Sequence, residues 1–131
     1  MQTSPITPFN WHQDCQFELL IDGTAFFPRI LQYIEEAQSR IDIEEYLVIS
    51  GSATKRLVAA LCAAATRGVV VRCLLDANGS ADFVATEREA LREAGVDLRF
   101  YNPITWHNGV RNLHRDHRKV LVFDQRIACV G

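Results

Sequence analysis

Hydrophobic residues change their spacing along this chain in a repeating order. Residues 16–21, QFELLI, read as a short strand, and Asp22-Gly23 turns the chain into TAFFPRILQYIEEAQSR, where Phe26, Phe27, Ile30, Leu31, Ile34 and Ala37 recur at helical spacing. Pro28 falls in the first turn of that helix, where proline is tolerated. Residues 41–49, IDIEEYLVI, are β-branched and aromatic with charges between them; a Gly51-Ser52 break follows, then a helix from about Ala53 to Arg67 that Gly68 ends. Residues 69–75, VVVRCLL, form a near-continuous apolar run of the kind buried on both sheet faces, ending in the loop DANGSAD. A third helix, from about Asp82 to Ala94, has Phe83, Val84, Ala90 and Leu91 as its expected buried residues and is closed by Gly95, and residues 96–101 supply another strand. KVLVFD and RIACVG are separated by too little chain for a helix, so they predict a hairpin turning near Asp124 to Arg126.

Three strand-helix-strand steps argue for an α/β layered domain: a mixed, largely parallel sheet flanked by helices, with right-handed crossovers, ending in a β-hairpin. Ligands of such sheets collect at the carboxyl ends of the strands, which draws attention to residues 44–46, 76–80 and 102–112. No repeat, linker or low-complexity segment divides the chain, and 131 residues at 48% apolar composition suit one domain with a real core.

The charge is unevenly spread. Residues 1–98 hold 8 Lys/Arg against 14 Asp/Glu, a balance of -6, whereas residues 99–131 hold 6 against 2, a balance of +4. A local basic cluster in an otherwise acidic protein points to an anionic ligand held at one site, more than to a polyanion bound across a whole face. Cys15, Cys62, Cys73 and Cys129 form no C-x-x-C pair, and the apolar neighbours of the last three mark them as reduced core residues. The start MQTSPITPFNW lacks a basic stretch followed by an apolar one, and no window approaches the ~18 apolar residues of a spanning helix.

The basic cluster centres on RNLHRDHRKVLVFDQRIACVG. Strand alternation places His117 and Lys119 on one face and Asp124 on the other. An imidazole beside an ammonium suits phosphorus chemistry, because neutral histidine can attack a phosphodiester while lysine neutralises the oxygens that repel the nucleophile. Asp124, at a tight turn, reads as a hairpin cap or structural hydrogen-bond acceptor. The plainer alternative for an arbitrary H-x-K is a solvated basic strand end; the apolar run, the turn aspartate and the glycine that follow favour the specific reading.

His117-Arg118-Lys119, residues 120–123 and Asp124 fit the H-x-K-x4-D motif of the phospholipase D superfamily, and RDHRKVLVFDQRIACVG resembles its bacterial cardiolipin synthase version. The segments LLIDGTAFFPRIL, RIDIEEYLV, AAATRGVVVRCLLDANGS and LREAGVDLRFYNP are similar to the first half of such a synthase. The resemblance implies one half of a pseudo-twofold fold, and a metal-free, cofactor-free phosphatidyl transfer through a phosphohistidine at a site built from two motifs. One histidine is phosphorylated; the other protonates the departing alcohol and then deprotonates the acceptor, ordinary acid-base work for imidazole. On this reading His117, Lys119 and Asp124 are the motif's catalytic residues. The implied partners are an anionic phospholipid such as phosphatidylglycerol and a second motif-bearing half, from the same longer chain or another subunit. The implied setting is cytoplasmic, with peripheral contact at the inner face of the cell membrane.

Departures from the pattern bear on activity. His12, His107 and His114 have no lysine two positions on, so a second motif is absent, and the chain stops seven residues after Asp124, where the family continues into further supporting structure. The expectation is a single domain over residues 1–131, the first catalytic half of a longer enzyme and inactive alone. The alternatives are a phosphodiesterase or nuclease completed by dimerisation, against which the acidic balance of residues 1–98 weighs, and a catalytically silent interaction module.

The remaining candidates each carry two readings. Arg115 and Arg118 contact a lipid phosphate or are solvated strand-end charges. His114 is a hydrogen-bonding residue at the site edge or a surface residue, and Glu44 points at the site or pairs with a nearby arginine. DANGS lies near substrate or is simply a turn; Trp106 meets lipid or packs alone. Asp116 with His107, His114 and His117 offers spacing for zinc, but the flanking Arg111, Arg115, Arg118 and Lys119 repel a cation and attract phosphate.

Overall fold

A computed structural model describes residues 13–106 and 109–131. The elements follow in the order α1 (Asp22–Glu36), β1 (Arg40–Glu45), α2 (Ser52–Thr66), β2 (Val70–Asp76), α3 (Ala85–Glu93), β3 (Asp97–Tyr101), a 3-10 turn (Gly109–Leu113), β4 (Val120–Phe123) and β5 (Ile127–Val130). The five strands form one sheet in the order β3-β2-β1-β4-β5, in which β1 pairs in parallel with β2 and β2 with β3, while β4 runs antiparallel to both β1 and β5. The fold is the expected α/β class with its closing hairpin.

Register shows why one face of this sheet is the core. Ile41 lies between Val71 and Phe123, and Ile43 between Cys73 and Leu121, with Leu98 beyond Cys73. All seven are buried in one cluster with Ile30 and Ile34 of α1, Val58, Leu61 and Ala64 of α2, and Leu91 of α3. The opposite face carries Asp42 opposite Arg72, Arg72 opposite Asp97, and Leu74 opposite Arg99. The run VVVRCLL is therefore not buried on both faces as its composition suggests: Val70 is 54% exposed and Arg72 is exposed. Arg72 inside the run is the sign that its alternation is real, since a charged side chain needs water or a partner.

Three local expectations are corrected. QFELLI is not a strand: the segment is unpaired, and Phe17, Leu19 and Ile21 are 95%, 85% and 72% exposed. Alternation makes a segment able to pair, but a strand exists only where a neighbour accepts its hydrogen bonds. The first helix starts earlier, at Asp22, whose carboxylate accepts from the Thr24 N–H at 2.8 Å, and this places Pro28 beyond the first turn. Pro28 leaves the Thr24 carbonyl without its helical donor, and the helix nonetheless continues to Glu36. Of the residues expected to be buried at α3, Phe83 and Leu91 are buried and Ala90 is half-buried, but Val84 is 45% exposed and Glu87 is buried in its stead. Ser50 explains the difference: its hydroxyl accepts from the Val84 N–H at 2.9 Å and donates to the Glu87 carboxylate, anchoring the helix start from outside.

The hairpin turn places Asp124 and Gln125 both in the left-handed region, at φ 50° and 57°, and closes through the Arg126 N–H on the Phe123 carbonyl. This conformation turns the Asp124 carboxylate onto the loop before β1, where it accepts from the backbone N–H groups of Gln38, Ser39 and Arg40 at 2.8–2.9 Å and from the Ser39 hydroxyl. Those donors hold its carboxyl well below the usual carboxylate range. Asp124→Ala is expected to cost about 2 kcal/mol, since water reaches some but not all of the orphaned donors at this half-buried position. Urea unfolding at neutral pH measures it.

Candidate active site

The site lies at the carboxyl end of β1, where Tyr46 follows the strand and the segment leading into β4 passes beside it. The His117 imidazole stacks on the Tyr46 ring with centroids 4.1 Å apart and planes 14° from parallel. Lys119 Nζ stands 6.0 Å from the centroid of the same ring, within reach of its electron-rich face. One aromatic ring thus gathers both motif side chains, and both are exposed to solvent.

Tyr46 is itself fixed from below. The Glu45 carboxylate accepts from the N–H groups of Tyr46 at 2.9 Å and Leu47 at 3.4 Å, which holds the bend where β1 ends. On the other side Gly79 packs so closely that a Cβ there would stand 2.0 Å from the Tyr46 carbonyl oxygen and 3.1 Å from its ring. The Asn-Gly pair is needed here for space beside Tyr46, beyond its suitability for a turn.

Asp76 ties that loop to the motif. It ends β2, is 1% exposed, and accepts with one oxygen from the N–H groups of Asn78 at 2.9 Å and Gly79 at 3.0 Å, and with the other from Asp116 N–H at 3.1 Å. Arg115 Nη1 lies 3.5 Å away. Burial pushes this carboxyl up, but the donors from Gly79, Asp116 and Asn78 together with the Arg115 cation outweigh it and hold it below its ordinary value. One buried carboxylate therefore sets both the glycine under Tyr46 and the backbone that leads to His117.

A second acidic group braces the motif from the open face of the sheet. Asp116, 8% exposed, accepts from both the N–H and the Nε–H of Arg118 at 3.1 Å, and Arg118 Nε also lies 3.2 Å from Glu44. The Glu44 carboxyl hydrogen-bonds to Asp116; this contact, with burial and the Asp116 charge, raises the Glu44 pKa, while Asp116 is lowered despite its burial by Glu44 and Arg118.

The sequence-predicted residues are thus divided. His117 and Lys119 meet on Tyr46. Glu44 and Arg118 form an ion pair beside them. Arg115 is not a solvated strand-end charge: its side chain is 11% exposed and faces Asp76 and the Asn102 carbonyl, 3.1 Å away. His114 is exposed, and its carbonyl accepts from the Asn102 amide at 2.8 Å. Asp124 lies at the far end of β4 on the 38–40 loop. His107 lies outside the described residues, and among those described no three His, Cys, Asp or Glu side chains converge on a metal position. The strand-end rule points to residues 76–80 as near the site; what it does not give is that Asp76 holds the Asp116 N–H and that Gly79 makes room for Tyr46.

Comparison with known proteins places this geometry in context. A family profile described as "Cardiolipin synthase, PLD-like domain" matches residues 30–131. Cardiolipin synthase B of Salmonella typhi is 39% identical over 123 residues, which is 92% of this chain and 30% of that protein. Cardiolipin synthase B of Escherichia coli K12 is 39% identical over 124 residues, 93% of this chain and 30% of that protein. The chain thus spans about 30% of the length of these curated relatives. A polyphosphate kinase from Porphyromonas gingivalis, 18% identical with a TM-score of 0.55 over 77% of this chain and 14% of its own, shares the fold.

Proposed function

The chain belongs to the cardiolipin synthase, phospholipase D-like domain family, and on that premise we propose that it supplies one of the two H-x-K-x4-D motifs of a phosphatidyltransferase acting on an anionic phospholipid such as phosphatidylglycerol. The observation that carries this reading is the pairing of His117 and Lys119 on the single ring of Tyr46, at the exposed end of the sheet. In the forward step the imidazole nitrogen of one motif forms a bond to phosphorus as the phosphorus–oxygen bond to the departing alcohol breaks, and the imidazole of the other motif gives that alcohol its proton. In the return step the latter imidazole takes the proton of the acceptor hydroxyl, whose oxygen displaces the phosphorus from nitrogen. His117 provides one of these two imidazoles. Lys119 offsets the charge that accumulates on the non-bridging oxygens.

The acidic residues nearest the site do not oppose an anionic substrate in this scheme. Asp76 is offset by backbone donors and Arg115, and Glu44 and Asp116 both pair with Arg118. Contact with the bilayer is peripheral in this reading: among the described residues no helix is long and apolar enough to cross a membrane, while Ile104 and Trp106 of the loop after β3 are 64% and 101% exposed.

The test mixes the chain with a protein carrying the second motif and supplies phosphatidylglycerol labelled at phosphorus. An acid-labile, alkali-stable label is expected on the complemented enzyme. If His117 is the nucleophile, His117→Ala removes the label from this chain; if it is the acid-base partner, His117→Ala slows labelling of the second motif by at least about 100-fold. Unchanged labelling in the variant would overturn the assignment of His117.

A further inference from the structure

The same end of the sheet opens into a second feature that phosphate chemistry does not use. Between the sheet and the helices α1 and α2 lies a cavity of about 320 Å³. Phe27, Ile30, Leu57, Leu61, Leu75 and Phe83 form much of its wall. Glu45 and Thr54 are its only oxygen-bearing side chains among the described residues. Both bond to backbone: one oxygen of Glu45 accepts from Tyr46 and Leu47, and the Thr54 hydroxyl donates to the Ile49 carbonyl. The wall therefore offers little to a polar ligand. The volume falls within the range of roughly 300–1,000 Å³ usual for small-molecule sites and is about twice that of apolar cavities of ~150 Å³ known to take up benzene.

Position decides the occupant. Glu45 and Leu47 line the cavity, and Tyr46 between them carries His117; Leu121 lines it too, two residues after Lys119. Two separate segments thus run directly from the cavity wall to the motif side chains. The rim is apolar and wet, with Leu47 54% and Ile49 51% exposed, so a hydrocarbon chain can enter at the end of the sheet where the phosphate would be held.

We propose that this cavity receives one aliphatic chain of a phospholipid whose phosphate lies at His117 and Lys119. The proposal rests on the phosphatidyl-transfer reading for the identity of the headgroup, but not for the binding of the chain. It makes the enzyme's preference for a lipid a property of the core behind Tyr46, since hydrocarbon is favoured against a wall that is almost wholly apolar.

The experiment is fluorescence titration of the 131-residue chain with cis-parinaric acid, with no second motif and no turnover. Saturable binding is expected, weakened at least tenfold in Leu57→Trp and in Val48→Trp, two cavity-lining positions of which the second lies on the loop and does not interrupt a helix. Circular dichroism identifies the variants that remain folded. Lysophosphatidylglycerol is expected to displace the probe better than palmitate, with that advantage lost in Lys119→Ala. No saturable binding by the folded chain, or binding unchanged in the folded filled variants, overturns the proposal. Equal displacement by the two competitors makes this a fatty-acid site unconnected to the phosphate and also overturns it, as does binding that appears only after removal of residues 1–12. Because the titration involves no reaction, a chain that binds parinarate but forms no phosphohistidine sinks the catalytic reading alone, and the reverse result sinks only this one.

Discussion

Gly79→Ala is expected to lower the rate of phosphohistidine formation in the complemented enzyme by at least about 100-fold, the scale on which a displacement near 1 Å is felt in a positioned reaction. The added methyl would stand 2.0 Å from the Tyr46 carbonyl oxygen, a separation that no rotamer change can relieve because the obstructing atom is backbone. Either the 77–81 loop or the end of β1 must move. Tyr46 carries the His117 ring at 4.1 Å, so movement of Tyr46 displaces that imidazole directly. Overpacking of this kind also costs roughly 1–3 kcal/mol of stability, which thermal unfolding will record. Gly51→Ala is the control: a Cβ there meets nothing within 4 Å, and both rate and melting temperature should stay near wild type. A Gly79→Ala enzyme with wild-type rate would show that the ring does not position His117.

Asp76→Ala is expected to be the most destabilising single change at the site, by about 3–5 kcal/mol, the range found when one member of a buried ion pair is removed. The substitution strands the N–H groups of Asn78, Gly79 and Asp116 and removes the Asp76 carboxylate from beside Arg115, whose side chain is 11% exposed. Unlike Asp124, Asp76 is sealed from water, so solvent cannot take over those bonds. The effect depends on pH with a definite sign. Because the folded pKa of Asp76 lies below its unfolded value of about 3.9, its contribution is fully present above that value and is lost as pH falls through the folded pKa. The gap between wild type and variant in urea unfolding should therefore be full at pH 7 and narrow below about pH 4. A gap constant from pH 7 to pH 3 would show that the charge on Asp76 is not what holds the loop.

These two residues also mark where reading the chain stops short. The motif His117, Lys119 and Asp124, the helices ended by Gly68 and Gly95, and the closing hairpin are all local patterns, set by side-chain alternation, helical spacing and turn chemistry within a few residues. QFELLI shows the limit of such patterns, since its alternating apolar residues find no neighbouring strand and remain in solvent. VVVRCLL shows it from the other side. Its composition suits burial on both faces, but whether the second face is covered depends on which side the crossover helices take, and here they share one side.

The sequence by itself determined the α/β class, the order of the helices and of the strands apart from QFELLI, and the H-x-K spacing. Each of these follows from spacing along a single segment, and a segment carries that information wherever it folds. Only the tertiary structure decided that Tyr46 lies under His117, that Gly79 makes room for Tyr46, and that Asp76 binds the N–H of Asp116, a residue forty positions away. The reason is physical: stacking, steric contact and hydrogen bonding act over a few ångströms in space, and only pairing of the strands in register brings the ends of β1 and β2 and the approach to β4 within that distance.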